Sequence, residues 1–353
     1  MGRVLLVLLI LLGGLTFFIF TPVEKKQQLP QDTQSKLTSN PSPTFSTVKK
    51  TTIFVPYWSL DKESSAKGEY DRSVYFGVVP NDDGLIRGEP GFQNIAKYNE
   101  LFPRGERLLA LRMTDSDLAL HILADKTAQE KVISETVKTV LDNHFSGVVL
   151  DLELFSLFDQ QVPREINSFV SDFSSASKQN KLYFASAIYG DVFYRHRPYD
   201  VKAIGQQVDE IMIMAYDFSK SSGEPGPNFP LEGQARYGYD LGAMIRDFLA
   251  LVQSEKLSVI FGMYGYDWTV DEQKRPIKPA AVLTDSQIRQ KYLLGCGDKN
   301  CKVSEDKFSS ETKIESGDNH IVWFEDPKSA QVKQKYLQRE GIGSFAYWAF
   351  GYF

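Results

Sequence analysis

Two carboxylates one residue apart, Asp151 and Glu153, close the run His144-Phe145-Ser146-Gly147-Val148-Val149-Leu150-Asp151-Leu152-Glu153-Leu154. A stretch this rich in aliphatic and β-branched residues reads as a strand buried on both faces, as in a parallel sheet. Side chains alternate along a strand, so Val149, Asp151 and Glu153 share one face while Val148, Leu150 and Leu152 share the other. Buried carboxylates are costly unless they are paired or used. Two on one face also repel, so one of them holds its proton near neutral pH, which is what a general acid requires. Asp-x-Glu alone is a common triplet. Its meaning depends on the elements that carry it.

Those elements alternate along the chain. Strand-like runs are Thr52–Trp58, Ser73–Val79, Arg107–Met113, the carboxylate run, Leu182–Ile188, Val208–Tyr216, Ser258–Tyr264 and Ile342–Phe350. Helical stripes lie between many of them. Thr127–Asp142 places Val132, Ile133, Val137, Val140 and Leu141 on one face, and Arg164–Lys178, Leu241–Ser254 and Asp326–Arg339 follow. The last opens on Asp326-Pro327, where proline is tolerated. Eight strands separated mostly by helices predict an α/β chain folded as a (β/α)8 TIM barrel. Active sites of such barrels sit at the C-terminal strand ends, where Glu153 stands.

Between the seventh strand and its helix, Asp267 to His320 is too long for an ordinary loop and predicts a small insertion at about 269–320 over the active face. It contains Cys296 and Cys301, spaced to close a small disulfide loop in an oxidising compartment, with two free thiols as the alternative. The chain stops at Phe353, directly after the eighth strand. No eighth helix is expected, and the linker or the insertion would cover its place.

Net charge is −5 at pH 7, which offers no basic footprint and excludes nucleic acid as an expected partner. The histidines (His121, His144, His196, His320) lie far apart, and no His or Cys cluster has metal-ligand spacing. Neither metal nor cofactor is expected. Asp82, Asp83, Asp115 and Asp117 lack the spacing of a calcium loop and read as turn formers. Val4–Phe20 is an uncharged apolar run of nearly the roughly 20 residues a membrane span needs. With no small-x-small cleavage site after it, residues 1–21 read as an uncleaved signal anchor, a cleaved signal peptide being the alternative. Residues 22–50, rich in Gln, Ser, Thr, Pro and Lys, read as a flexible linker, leaving 51–353 as the folded domain.

With these elements in place the chain resembles glycoside hydrolase family 18. The fourth-strand signature of that family, Asp-Gly-x-Asp-x-Asp-x-Glu after an aromatic, stands here as Phe145-Ser146-Gly147-Val148-Val149-Leu150-Asp151-Leu152-Glu153. Its sixth-strand Met-x-Tyr-Asp appears as Met214-Ala215-Tyr216-Asp217. A less regular seventh-strand motif is Gly262-Met263-Tyr264-Gly265-Tyr266-Asp267-Trp268, and the eighth-strand tryptophan is Trp348. Val322-Trp323-Phe324-Glu325-Asp326 resembles the bacterial spore-cortex and cell-wall subgroup. The resemblance covers roughly 51–353.

The resemblance implies hydrolysis of β-1,4-linked N-acetylglucosamine-containing glycans, peptidoglycan or chitin, with the substrate's own acetamido group as nucleophile. It implies Glu153 as general acid and base, Asp151 holding the acetamido N–H, and Tyr216 donating to the acetamido carbonyl. Asp217 and Met214 would belong to the same subsite, and Trp348 would form its floor. Tyr216 and Trp348 are otherwise plausible core residues. Tyr57 and Trp58 either line the sugar groove or plug the barrel mouth, and one of Tyr264, Tyr266 and Trp268 is expected to touch sugar. The Gly/Pro loop Ser219–Pro230 reads as a groove wall. The glycan would be the partner, and an extracytoplasmic domain held at the membrane by the anchor follows from that function.

Two positions depart from the signature: its first Asp is Ser146 and its second is Val149. The second Asp of the family points inward beneath the residue that Asp151 matches and shares a proton with it. Val149 removes that proton store, which implies slower turnover or an altered pH profile. A lectin-like carbohydrate-binding relative that has lost turnover is the competing reading, although such relatives usually lose the Glu retained here as Glu153. A structural or assembly protein whose insertion binds a partner is a third reading, supported by the Cys loop alone. Val149→Asp is expected to shift the pH–rate profile, and a variant matching the parent in both rate and profile would remove this account of the signature.

Overall fold

Every barrel strand expected from the alternation of apolar runs forms, and the carboxylate strand divides its faces as expected. The computed structural model describes residues 49–62, 70–154, 159–297 and 300–353. The strands are β1 (Lys50–Pro56), β2 (Arg72–Val78), β3 (Glu106–Met113), β4 (Gly147–Leu152), β5 (Tyr183–Tyr189), β6 (Glu210–Ala215) and β7 (Leu257–Gly262). Five strands of an insertion come next: β8 (Tyr264–Thr269), β9 (Ala281–Thr284), β10 (Lys302–Glu305), β11 (Thr312–Ser316) and β12 (His320–Phe324). The eighth barrel strand is β13 (Ser344–Trp348). The barrel closes in the order β1-β13-β7-β6-β5-β4-β3-β2, every neighbour parallel.

Val149 packs inside the barrel with Leu108, Ala110, Ala185 and Met212. Val148, Leu150 and Leu152 face outward into the core between sheet and helices, with Phe169, Phe173 and Val140. That outer core is covered by α1 (Ile95–Leu101), α2 (Ser116–Ala124), α3 (Lys126–Asp142), α4 (Val162–Gln179), α5 (Val201–Gln207), α6 (Leu241–Leu249) and α7 (Pro327–Arg339). Aspartates start several of them. Asp115, Asp125, Asp240 and Asp326 each accept backbone N–H groups of the first turn, groups that have no partner within the helix. Asp115 is therefore a helix cap, and Asp83 pairs with Lys131 at 2.9 Å.

The insertion is larger than its apolar pattern suggested. It runs from Tyr264 to Phe324, not from about 269 to 320, and folds as an antiparallel sheet in the order β9-β8-β12-β11-β10. Tyr264 is therefore the first residue of β8 rather than the end of barrel strand seven. The chain leaves the barrel at Met263, whose N–H donates to the Trp348 carbonyl at 2.6 Å. Its apolar alternation then continues without a break into β8, so the boundary leaves no mark in the sequence. The bonded pair Cys296–Cys301 (Cα–Cα 5.9 Å) closes a short loop between β9 and β10. At the other end of the chain the linker boundary moves slightly. Lys49 N–H donates to the Gly343 carbonyl at 2.7 Å and Lys50 opens β1, so the barrel begins before Thr51. The expected anchor, 1–21, and the rest of the linker lie outside the described residues. Among the described residues no helix is long and apolar enough to cross a membrane.

One buried knot ties the insertion to the barrel. Lys333 of α7 donates to Glu311 at 2.7 Å and to Glu325, and all three residues are at most 1% exposed. Burial pushes the Glu325 carboxyl up to about 7 against the pull of Lys333. Glu311 also accepts the N–H groups of Asn228 (2.6 Å) and Phe229 (2.9 Å), fixing the end of the Ser219–Pro230 loop. Removing Lys333 leaves two buried carboxyls without their cation, a loss of roughly 3–5 kcal/mol. Lys333→Ala is expected to lower the unfolding free energy by about that amount in urea denaturation, and a loss below about 1 kcal/mol would show that the knot is not structural.

Candidate active site

The C-terminal end of β4 delivers the two carboxylates to the barrel mouth. Asp151 points inward above Val149 and is 3% exposed. Glu153 follows the strand, its N–H donating to the Met113 carbonyl at 2.9 Å. Tyr199 holds the backbone on either side: its hydroxyl donates to the Leu152 carbonyl at 2.8 Å and accepts the Leu154 N–H at 3.1 Å. The Tyr189 hydroxyl, at the end of β5, donates to Glu153 Oε2 at 2.7 Å. Burial, and then the neighbouring Glu153, push the Asp151 carboxyl well above its usual range, with Arg112 opposing. Burial also raises Glu153, against the Tyr189 hydrogen bond that favours its ionised form. Both carboxyls are therefore held above their usual range.

A cavity of about 240 Å³ opens over the pair. Ala187 stands beside Asp151 in the β4–β5 register and leaves it room. Tyr216, at the end of β6, lines the cavity, and its hydroxyl makes no hydrogen bond to the described residues. Burial, and then Asp151 and Glu153, raise that phenol well above its usual range, so it remains a donor. Asp217 takes a left-handed backbone (φ 57°), a conformation in which Asp is tolerated. Its N–H donates to Asn228 Oδ1 at 2.8 Å, and its carboxylate accepts from the hydroxyls of Tyr264 and Tyr266. Trp348 lies edge-on to Phe76 at 4.6 Å and packs on Phe54 at 5.9 Å, giving the cavity a flat apolar wall; the peptide bond after it is cis.

This arrangement supplies two adjacent carboxyls raised above their usual range, a phenol donor without a partner among the described residues and an aromatic platform. A model of the glycosyl hydrolases family 18 matches residues 38–352. The chain belongs to that family. It is 26% identical over 303 residues to a cortical fragment-lytic enzyme of Bacillus anthracis, covering 79% of this chain and 64% of the relative. The chain thus spans less than two thirds of the length of that relative. Among solved structures, the Bacillus cereus spore cortex-lytic enzyme SleL superimposes with a TM-score of 0.69 at 20% identity, covering 88% of this chain and 72% of that one. A human pseudo-chitinase with retained chitooligosaccharide binding superimposes with a TM-score of 0.71 at 17% identity, over 85% of this chain and 92% of its own.

Asp151, Glu153, Met214, Tyr216, Asp217, Tyr264 and Trp348, all named from the sequence, meet in this family 18 cavity. Tyr57 does not line it. A 3-10 turn at Tyr57–Ser59 ends the alternation of β1, so Tyr57 packs on the outer core and sets its ring edge-on to Trp58. Trp58 leans toward the mouth instead, 6.3 Å from the Trp348 ring.

Sequence reasoning missed Arg112. It stands beside Asp151 in the β3–β4 register, with its guanidinium over the Phe76 ring at 4.6 Å. Its Nε is buried without a hydrogen-bond partner among the described residues. The signal was present, because alternation along β3 puts Leu108, Ala110 and Arg112 on the inner face, and a cation there is as anomalous as an acid. Where the signature has a proton-sharing Asp below Asp151, this chain has Val149 below and Arg112 beside it. The cation favours ionised Asp151, so Arg112→Met is expected to move the titration of the carboxyl pair to higher pH in carbon-13 spectra of the side-chain carboxyls. An unmoved titration would remove Arg112 from the electrostatics of the site.

Proposed function

We propose that this chain hydrolyses β-1,4-linked glycans containing N-acetylglucosamine, with retention and with Glu153 as general acid and base. The observation that supports the reading is the buried Asp151–Glu153 pair, both carboxyls raised above their usual range, in one cavity with the Trp348 platform and a Tyr216 hydroxyl that has no partner among the described residues. The cortical fragment-lytic relative and the pseudo-chitinase that binds chitooligosaccharides support this substrate class.

In the proposed reaction an N-acetyl sugar rests against Trp348. Glu153 gives its proton to the glycosidic oxygen as the bond to the anomeric carbon breaks. The acetamido carbonyl oxygen attacks that carbon and forms an oxazolinium ion, so no protein carboxylate has to act as nucleophile. Tyr216 donates to the carbonyl oxygen and orients it. Asp151 accepts the acetamido N–H and balances the positive charge on the ring. Water then attacks the anomeric carbon from the side the leaving group vacated and loses a proton to Glu153. The second inversion opens the oxazolinium ring and restores the acetamide. Because Val149 cannot share a proton, Asp151 depends on Arg112 for its ionised form.

The barrel is proposed to act outside the cytoplasmic membrane, held by the apolar run 4–20, a placement supported by the bonded cysteines. Both cysteines should resist alkylation in the native protein until reductant is added.

The competing lectin reading draws on Ser146 and Val149. Full-length protein and its Glu153→Gln variant, incubated with chitin oligomers and with purified peptidoglycan, separate the two. The parent is expected to release reducing ends, and the variant to lose about 10³-fold in rate. Glycan binding without release by either protein would sink the hydrolase and leave the lectin.

A further inference from the structure

The segment Tyr189–Tyr199, from the end of β5 into the loop before α5, is dense in charged and phenolic side chains. Both of its ends reach Glu153. The Tyr189 hydroxyl donates to Oε2 at 2.7 Å, and the Tyr199 hydroxyl holds the Leu152 carbonyl and the Leu154 N–H on either side. Between these two tyrosines stand Asp191, Arg195 and Arg197, which touch neither carboxyl of the pair by hydrogen bond.

Arg197 connects them to the site. Its guanidinium lies over the Tyr189 ring, 3.6 Å from the ring centre. Asp191 grips the same guanidinium, accepting from Nε at 3.0 Å and from Nη2 at 3.2 Å. The side chains of Asp191 and Arg197 are each 7% exposed, so water screens this pair far less than it screens a surface ion pair. Arg195 closes the group by donating to Asp191 and, at 2.8 Å, to the Phe218 carbonyl. A planar guanidinium gripped at its edge and pressed on a ring keeps little freedom. The ring beneath it cannot turn away from Glu153 without losing a desolvated cation–π contact. Asp191, Arg197, Tyr189 and Glu153 thus form one chain of contacts that ends on a carboxyl oxygen.

The phenol occupies Oε2. Oε1 has no hydrogen-bond partner among the described residues, and Glu153 lines both the cavity over Asp151 and an adjoining one of about 230 Å³. A protonated Glu153 therefore carries its proton on Oε1. The groups around this carboxyl pull both ways. Burial and Asp217 raise it, while the Tyr189 hydrogen bond, Arg197 and Arg112 lower it. Asp151 shares its strand face, and Asp191 and Lys220 line the adjoining cavity. In the hydrolytic reading above, on which this inference rests, Glu153 gives up a proton in the first half of the reaction and takes one in the second. A carboxyl that burial alone governed would hold its proton too firmly to act as the base.

We propose that Arg197, fixed by Asp191, is a positioning residue for Glu153: it locks the Tyr189 hydroxyl onto Oε2, which leaves Oε1 as the atom that gives up the proton and takes it back. Tyr189 is the link through which it acts.

The test uses the full chain and its Tyr189→Phe, Arg197→Met and doubly substituted variants. Carbon-13 spectra of the side-chain carboxyls, with Glu153→Gln to assign the signal, read Glu153 without turnover. Loss of the hydrogen bond or of the cation disfavours the ionised carboxylate. Each single variant should therefore titrate Glu153 at higher pH, by about one pH unit. The double variant should move it by less than the sum of the two, because one residue acts through the other. On the glycan that the parent hydrolyses, each single variant should lose about tenfold in kcat with KM unchanged. The alkaline limb of its pH–rate profile should rise with the titration. Unchanged unfolding midpoints exclude a folding defect, and Tyr189→Phe, which removes a single oxygen, decides the question if Arg197→Met does not fold. An unmoved Glu153 titration, additive displacements, or a raised KM with the titration unmoved overturns the proposal, the last by showing Tyr189 to be a sugar contact. If the parent releases no reducing ends, the hydrolase reading falls, and the titrations alone uphold or overturn the control of Glu153 by Arg197.

Discussion

Two like-charged groups on the inner face of one buried strand are the constraint that the mouth of this barrel has to meet. Neither Asp151 nor Glu153 can ionise cheaply in low dielectric; Glu153 raises the cost for Asp151, and Asp217 raises it for Glu153. The surroundings divide that cost unequally. Glu153 receives a hydrogen bond from Tyr189 and has its backbone clamped by Tyr199, so its position is set on both sides. Asp151 receives no hydrogen bond from a donor among the described residues; it lies in the field of Arg112 and faces the open cavity. One group is held in place and the other faces the open cavity.

The insertion takes part in this arrangement. Tyr264, Tyr266 and Trp268 alternate onto one face of β8 and pack against Tyr216 and Trp348, so the inserted sheet forms one side of the active cleft. Two of its hydroxyls orient Asp217. The Lys333 knot reaches the same residue from behind: Glu311 holds Asn228, and the Asn228 side chain accepts the Asp217 N–H. A lysine on the last helix thus helps to hold a carboxylate in the cleft through the insertion and the sixth-strand loop. Barrel, insertion and loop are coupled because the polar groups that join them are buried and must be satisfied.

Much of the fold was legible because it rests on local periodicity. The β4 face containing Val149, Asp151 and Glu153 needed only alternation to be read, and the strands and main helices needed only their apolar spacing. Site residues at strand ends were legible through the resemblance to family 18 motifs, which named Tyr216, Asp217 and Trp348; periodicity alone would have left Tyr216 and Trp348 as core residues. Tyr57 misled because a 3-10 turn replaced the alternation at the residue that mattered. The start of the insertion was hidden because β7 and β8 share one uninterrupted apolar pattern, and what separates them is a change of pairing partner, from β13 to β12.

By itself, then, the sequence determined the barrel, the shared face of the carboxylates and the repulsion that makes their joint ionisation costly. These follow from neighbours along one strand. Only the tertiary structure placed Arg112 beside Asp151, tied Asp191 to two arginines, and pinned the Asn228 loop with a glutamate 83 residues away. Such pairings depend on which segments the closed sheet and the inserted sheet bring together. No period along the chain encodes them, because the energy that selects them comes from satisfying buried charges across the fold.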